Sequence, residues 1–217
     1  MTDTESQAPA PGAARRPFSM IRGFHLADWI TVANGCCGMG AVFSAVTYLQ
    51  IPAQRWHLLF ACGLVAIALV LDFLDGKVAR WRHAASPLGR ELDSLSDVIS
   101  FGVAPAVIAY AAGMQGFWDC AVLLFFVACG VSRLARYNVT AEALSGDDGK
   151  VQYFEGTPIP TSLVLVIVLA IAAWQGRLGD QLWGGSVILG PWPFHPLVLM
   201  FALSGSLMIS TIRIPKP

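Results

Sequence analysis

Three observations predict an all-α integral membrane protein of six transmembrane helices, preceded by an amphipathic segment lying in the membrane interface. Of the 217 residues, 55% are hydrophobic and 13% charged, at a mean hydropathy of +0.60, a balance typical of membrane-embedded chains. Apolar runs of about 20 residues, the length a helix needs to cross a hydrocarbon core about 30 Å thick, recur along the chain. The basic residues are unevenly divided between the connecting segments, as the positive-inside rule requires of a membrane protein.

In chain order, residues 1–14 are polar and rich in Pro and Ala, a composition that cannot bury enough apolar surface to fold. Residues 15–26 mix Arg15, Arg16 and Arg22 with Phe18, Met20, Ile21, Phe24 and Leu26, the pattern of an interfacial helix. The first long apolar run begins only at Ala27 and no small-residue cleavage site precedes it, which argues against a cleaved signal peptide. We therefore divide the chain into a cytoplasmic tail and interfacial segment, 1–26, and a six-helix domain, 27–217. The six spans are placed near residues 27–50, 56–75, 89–113, 118–134, 158–174 and 195–211. With this threading, twelve of the 14 Lys and Arg fall on the side holding both termini, and only Arg55 and Arg177 fall on the other. Both termini are thus expected in the cytoplasm of a bacterial-type cytoplasmic membrane. Trp29, Trp56, Trp118, Trp174 and Trp192 fall near span ends, where an aromatic belt explains them. The histidines form no cluster, and His25 and His195 are expected to be interfacial. The five cysteines lie in apolar runs with no Cys-x-x-Cys spacing, and read as small buried hydrophobes. No basic stripe suggests nucleic acid.

Against this apolar background the stretch from Asp72 to Asp97 stands apart. Carboxylates at the edge of a bilayer cost several kcal/mol and mark function. If residues 72–80 continue the second helix, Asp72, Asp75, Gly76 and Ala79 share one face, with Arg80 beside it. A further helix is expected to start at Ser86, a good N-cap, with Pro87 in its first turn. Gly89, Asp93 and Asp97 then recur every four residues on one face of it. Two helices joined by a short link bring the four carboxylates together, and four like charges so close require a cation. An all-oxygen donor set favours magnesium, manganese or calcium over zinc. The small residues let a ligand approach the backbone, and Arg80 suits phosphate.

Written as D-x2-D-G-x2-A-R-x8-G-x3-D-x3-D, the stretch carries all eight fixed identities of the CDP-alcohol phosphotransferase signature: Asp72, Asp75, Gly76, Ala79, Arg80, Gly89, Asp93 and Asp97. It resembles that family, and a solvated acidic loop would have no need of helical spacing. Further segments resemble the family's phosphatidylserine synthase branch: T-V-A-N-G-C-C-G at Thr31 to Gly38, the run Asp93 to Ala106, S-R-L-A-R-Y-N at Ser132 to Asn138, and F-E-G-T-P-I-P at Phe154 to Pro160. The resemblance implies transfer of a phosphatidyl group from CDP-diacylglycerol to L-serine, with CMP leaving, at a membrane site on the cytoplasmic side. It implies two divalent ions, Mg2+ or Mn2+, with Asp72, Asp75, Asp93 and Asp97 as ligands and Asp97 also as general base. A carboxylate of ordinary pKa, about 4, is a weak base at neutral pH, so Asp97 must be poised by its neighbours. Gly76, Ala79 and Gly89 would wall the nucleotide, Arg80 would hold phosphate, and Asn34 would sit near the nucleotide and metal. A homodimer is the family's common state.

Arg133 and Arg136 are the candidates for the acceptor's carboxylate, against a role in snorkelling to headgroups. Asn34, with Gly35, Gly38 and Gly40, equally suits close helix packing. Thr157 and Ser162 could bond a substrate, though Ser and Thr beside prolines usually cap helices. Three alternatives stay open at this point. The acceptor could be glycerol 3-phosphate or inositol phosphate, or the donor an archaeal-type lipid. The transfer could be direct or pass through a covalent intermediate. A cation-coupled transporter would also use intramembrane acids, but would spread them about the midplane rather than gather them at one end.

Overall fold

The structure is a computed structural model that describes residues 26–82, 87–144, 153–210 and 213–215. Seven α-helices account for most of it: α1 (Leu26–Gln50), α2 (Trp56–Arg82), α3 (Pro87–Asp97), α4 (Ala104–Ala112), α5 (Phe117–Leu144), α6 (Leu163–Trp174) and α7 (Leu199–Ile209). Between α3 and α4 the helix loosens into a π-helical segment, Val98–Val103, so that Leu88–Ala112 forms one continuous apolar stretch. Among the described residues, four stretches are long and apolar enough to cross a membrane: Leu26–Gln50, Trp56–Val78, Leu88–Ala112 and Phe117–Val139. Two shorter apolar helices, Ile159–Trp174 and Pro196–Ile209, fall where the fifth and sixth spans are expected. The expected interfacial segment before residue 26 lies outside the described residues.

The all-helical expectation needs one amendment. Strands β1 (Tyr153–Glu155) and β4 (Arg213–Pro215) pair antiparallel, tying the chain after α7 back to the approach to α6. Strands β2 (Val187–Leu189) and β3 (Trp192–Phe194) form a hairpin between α6 and α7. Three-residue strands give too little period-two alternation to be read from sequence.

Helix α1 packs along α2 and also against α3, the π segment and α4, while α5 packs on α7 and α6 on α2. Small residues make this possible. Ala41 and Ala45 of α1, Ala61 and Ala68 of α2, and Ala104 and Ala109 of α4 are all fully buried, and lipid chains as apolar as Leu leave close packing as the main force between helices. At Gly38 an added Cβ would come within 2.7 Å of the Ser100 Cα, so α1 meets the π segment backbone to backbone. Gly35 faces the Ser96 Oγ in the same way, 3.1 Å from where a Cβ would sit. Between α5 and α7, Phe126 meets Phe201 edge to face at 5.1 Å, and Gly205 lies against the Phe126 backbone. Outward-facing Phe43, Phe60, Val70, Leu124 and Leu203 are exposed, as a lipid-facing bundle requires.

Candidate active site

Helix α2 runs without a break from Trp56 through Arg82, so Asp72 and Asp75 sit one turn apart on it as the sequence predicts. After a link of four residues Pro87 opens α3, where its fixed φ suits a first helical position. Ser86, the expected cap, lies outside the described residues, as do His83 and Lys150; so do the side chains of Ala79, Arg80 and Arg82. The short link brings the two acid-bearing faces together. One carboxylate oxygen from each of Asp72, Asp75 and Asp93 lies within 4.8 Å of the others. Asp97 ends α3, one turn beyond Asp93, and is buried, as is Asp75.

Helix α1 backs this cluster. The Thr31 hydroxyl donates to Asp75 Oδ2 at 2.7 Å, and the Asn34 amide donates to Asp97 Oδ1 at 3.3 Å. Spaced i, i+3, the two donors lie on one face of α1 and reach one acid from each neighbouring helix. Asn34 is fully buried, and its backbone carbonyl accepts from the Ser100 hydroxyl at 3.0 Å, fixing α1 to the π segment just after Asp97. Asn34 thus touches a carboxylate directly, while the glycines beside it make the helix contact: the packing and polar readings of T-V-A-N-G-C-C-G both describe the same face.

The residues present fit a hard divalent cation. Asp93 Oδ1 is buried with no hydrogen-bond partner among the described residues. None of the four acids forms an ion pair with a described Lys or Arg. Neutral donors, the Thr31 hydroxyl, the Asn34 amide and the Gly76 backbone N–H, do not offset four carboxylates, and unpaired buried charge is costly. The donors on offer are all carboxylate oxygens, the set that hard cations prefer. Beside them, an added Cβ at Gly76 would meet no atom within 4 Å, so the glycine leaves room over the acids instead of filling a packing contact.

The two acceptor candidates separate. Arg133 is half-buried on α5, within electrostatic reach of Asp97, and its Nε has no partner among the described residues. Arg136 is exposed. One turn further along α5, Asn138 exchanges hydrogen bonds with Ser94 at 3.0 and 3.2 Å and reaches Glu91 at 3.4 Å, which braces α5 against α3. Thr157 and Ser162 do not cap: Ser162 precedes α6 without a side-chain cap bond, and both hydroxyls are buried without partners among the described residues. Sequence reasoning gave Thr31 no role, although its i, i+3 spacing from Asn34 was the available signal.

It also missed a second buried acid. Asp119, at the opposite end of the bundle, accepts from His195 Nδ1 at 2.7 Å, the His195 backbone N–H at 2.9 Å and the Gly116 backbone N–H at 3.1 Å. His195, expected at the interface, is buried instead, because this carboxylate gives its ring a partner inside the protein.

The geometry can now be set beside known proteins. The family model for CDP-alcohol phosphatidyltransferase matches residues 24–205. The chain is 44% identical over 207 residues to the CDP-diacylglycerol–serine O-phosphatidyltransferase of Saccharomyces cerevisiae, covering 92% of this chain and 74% of that one. To the Helicobacter pylori protein of the same name it is 38% identical over 189 residues, 86% of this chain and 70% of that one. To the Bacillus subtilis protein it is 28% identical over 191 residues, 86% and 87% of the two chains.

Proposed function

The chain belongs to the CDP-alcohol phosphatidyltransferase family, and from that premise we propose that it transfers the phosphatidyl group of CDP-diacylglycerol to L-serine, giving phosphatidylserine and CMP. The observation that carries the site assignment is the convergence of Asp72, Asp75 and Asp93 within 4.8 Å. The choice of serine as acceptor is supported by relatives of that activity that match most of this chain.

In this reading Asp72, Asp75 and Asp93 hold Mg2+ or Mn2+, with Asp97 beside a second ion. When bound, such ions neutralise the diphosphate and the charge that builds on attacking and leaving oxygens. The chain's own groups do the rest. Asp97 takes the proton of the serine hydroxyl as its oxygen bonds to the lipid-bearing phosphorus, and the phosphorus–oxygen bond to CMP breaks. Asn34 holds Asp97 in place for that transfer, as its 3.3 Å hydrogen bond to Oδ1 suggests. Thr31 does the same for Asp75. Gly76, with Ala79 and Gly89, leaves the nucleotide its wall, and Arg80 binds phosphate. Arg133, half-buried near Asp97 with no partner for its Nε among the described residues, receives the serine carboxylate; exposed Arg136 is left to headgroups.

The same proposal places six helices across the membrane, with both termini and the acid cluster on the cytoplasmic side, where serine is available and CMP is released. It includes a homodimer on the family resemblance. The test is CMP release by purified protein from CDP-diacylglycerol, with manganese or magnesium, across serine, glycerol 3-phosphate and inositol phosphate. Serine-dependent release that chelator abolishes is expected. Release with another acceptor alone would reassign the substrate and keep the acid chemistry.

A further inference from the structure

The end of the bundle away from the acid cluster carries a feature that transfer chemistry does not use. The β2–β3 hairpin pairs Val187 with Phe194, Ile188 with Pro193 and Leu189 with Trp192, and turns at Gly190, whose φ of 70° suits glycine. Successive strand residues point to opposite faces, yet all three residues of β2 are exposed, Ile188 at 79%. Among the described residues, protein therefore leaves both faces of β2 open, while β3 packs on the bundle through Phe194. No Asp, Glu, Lys or Arg occurs between Asp180 and Arg213. In water, an uncharged apolar strand with open edges is an aggregation site, and soluble proteins place charges there.

We propose that this hairpin is an anchor in the membrane interface on the side opposite the acid cluster. The occupant follows from two demands. Apolar side chains on both faces call for lipid. Open strand edges call for hydrogen-bonding partners, which the hydrocarbon core lacks. Only the headgroup layer supplies both, and the hairpin lies there with Val187, Ile188 and Leu189 reaching towards the acyl chains. Trp192 stacks near Phe117 at 6.3 Å, and Phe117 meets Trp118 at 5.3 Å, an aromatic group of the kind that settles at this depth. The neighbouring helices give the anchor a purpose. Ile159–Trp174 and Pro196–Ile209, at about 1.5 Å per α-helical residue and 2 Å in their 3-10 turns, reach roughly 26 and 22 Å, short of a core about 30 Å thick. The hairpin extends the apolar band of both on the side where they fall short.

Its position is fixed from beneath. His195, the residue after β3, is bound to Asp119 through both its ring and its backbone N–H, and the carbonyl of Pro193 lies hard against Gly116, where any side chain would collide with it. The inference rests on reading the helices as membrane spans and is independent of the acceptor.

The test uses the full chain in liposomes of phosphatidylcholine and phosphatidylglycerol, with Cys36, Cys37 and Cys120 replaced by alanine. A nitroxide is attached through Ile188→Cys or, as an exposed reference at the same end, Gln181→Cys. Ile188 is 79% exposed, so the substitution does not threaten folding. Oxygen is expected to relax the label at 188 severalfold more effectively, relative to a water-soluble nickel chelate, than it relaxes the label at 181. Equal ratios at the two sites would overturn the proposal. So would weak collisions with both reagents at 188, which would mean that protein, not lipid, covers the hairpin.

Discussion

A cluster of buried and half-buried acids sits at one end of the bundle and a single buried acid, Asp119, at the other, and the difference between them separates chemistry from architecture. Asp119 is fully buried and satisfied: two backbone N–H groups and an imidazole occupy its oxygens. It joins the start of α5 to the strand before α7, and its bond to the Gly116 N–H is the reciprocal contact of a helix N-terminus. Among the described residues, Asp72, Asp75, Asp93 and Asp97 take hydrogen bonds from neutral groups, the Thr31 hydroxyl, the Asn34 amide and the Gly76 backbone N–H, and one oxygen of Asp93 is buried with no partner. Burial of a carboxylate is therefore not the mark of a site. An excess of negative charge over the groups available to balance it is.

The largest effect expected is at the crowded end. Asp75→Asn or Asp93→Asn should bring CMP release below detection while the protein stays folded; metal-independent turnover by either variant would break the contrast. Asp97→Asn should lower kcat by about 10² to 10⁴, the usual contribution of a general base. Asn34→Ala, which removes only the support of Asp97, should lower kcat by about 10- to 100-fold, the range for partners of metal-site residues. A change confined to the KM for CDP-diacylglycerol would instead make Asn34 a donor contact. Arg133→Ala should raise the KM for serine about tenfold or more, the worth of one charge-assisted hydrogen bond, while Arg136→Ala leaves it nearly unchanged. Equal rises for both substrates would reduce Arg133 to a structural role. Asp119→Ala should act the other way round, costing about 3–5 kcal/mol of stability as a broken buried pair does, with kcat little altered in the folded fraction.

How far each end could be read from sequence follows from the same difference. The acid cluster was legible because α2 and α3 are regular helices joined by four residues, so spacing along the chain fixes proximity in space. Asp72, Asp75 and Asp93 meet as helical periodicity predicts. The support from α1 was half legible: Asn34 drew attention through its resemblance to a known run, but its partner Asp97 is 63 positions away, and no local pattern encodes that pairing. Asp119 and His195 are 76 positions apart, each a lone polar residue in an apolar context. Nothing in either neighbourhood announces the other. The hairpin was hidden for another reason. Its strands are too short to show alternation, and they lie in the stretch left unassigned between the fifth span and the sixth, which was placed from His195.

The most direct measurement compares thermal unfolding in detergent, with chelator and with Mn2+, for the wild-type chain, Asp93→Asn and Asp119→Asn. If the crowded acids await a cation, Mn2+ at about a hundred times its dissociation constant should stabilise the wild type by about 2.7 kcal/mol. Asp93→Asn should lose most of that gain and, with one charge fewer, should be no less stable than the wild type in chelator. Asp119→Asn should be less stable in both conditions and keep the metal gain. A wild type indifferent to Mn2+, or an Asp93→Asn variant that unfolds earlier in chelator and still gains from the metal, would contradict the account: the cluster would then be satisfied as Asp119 is, by the protein alone.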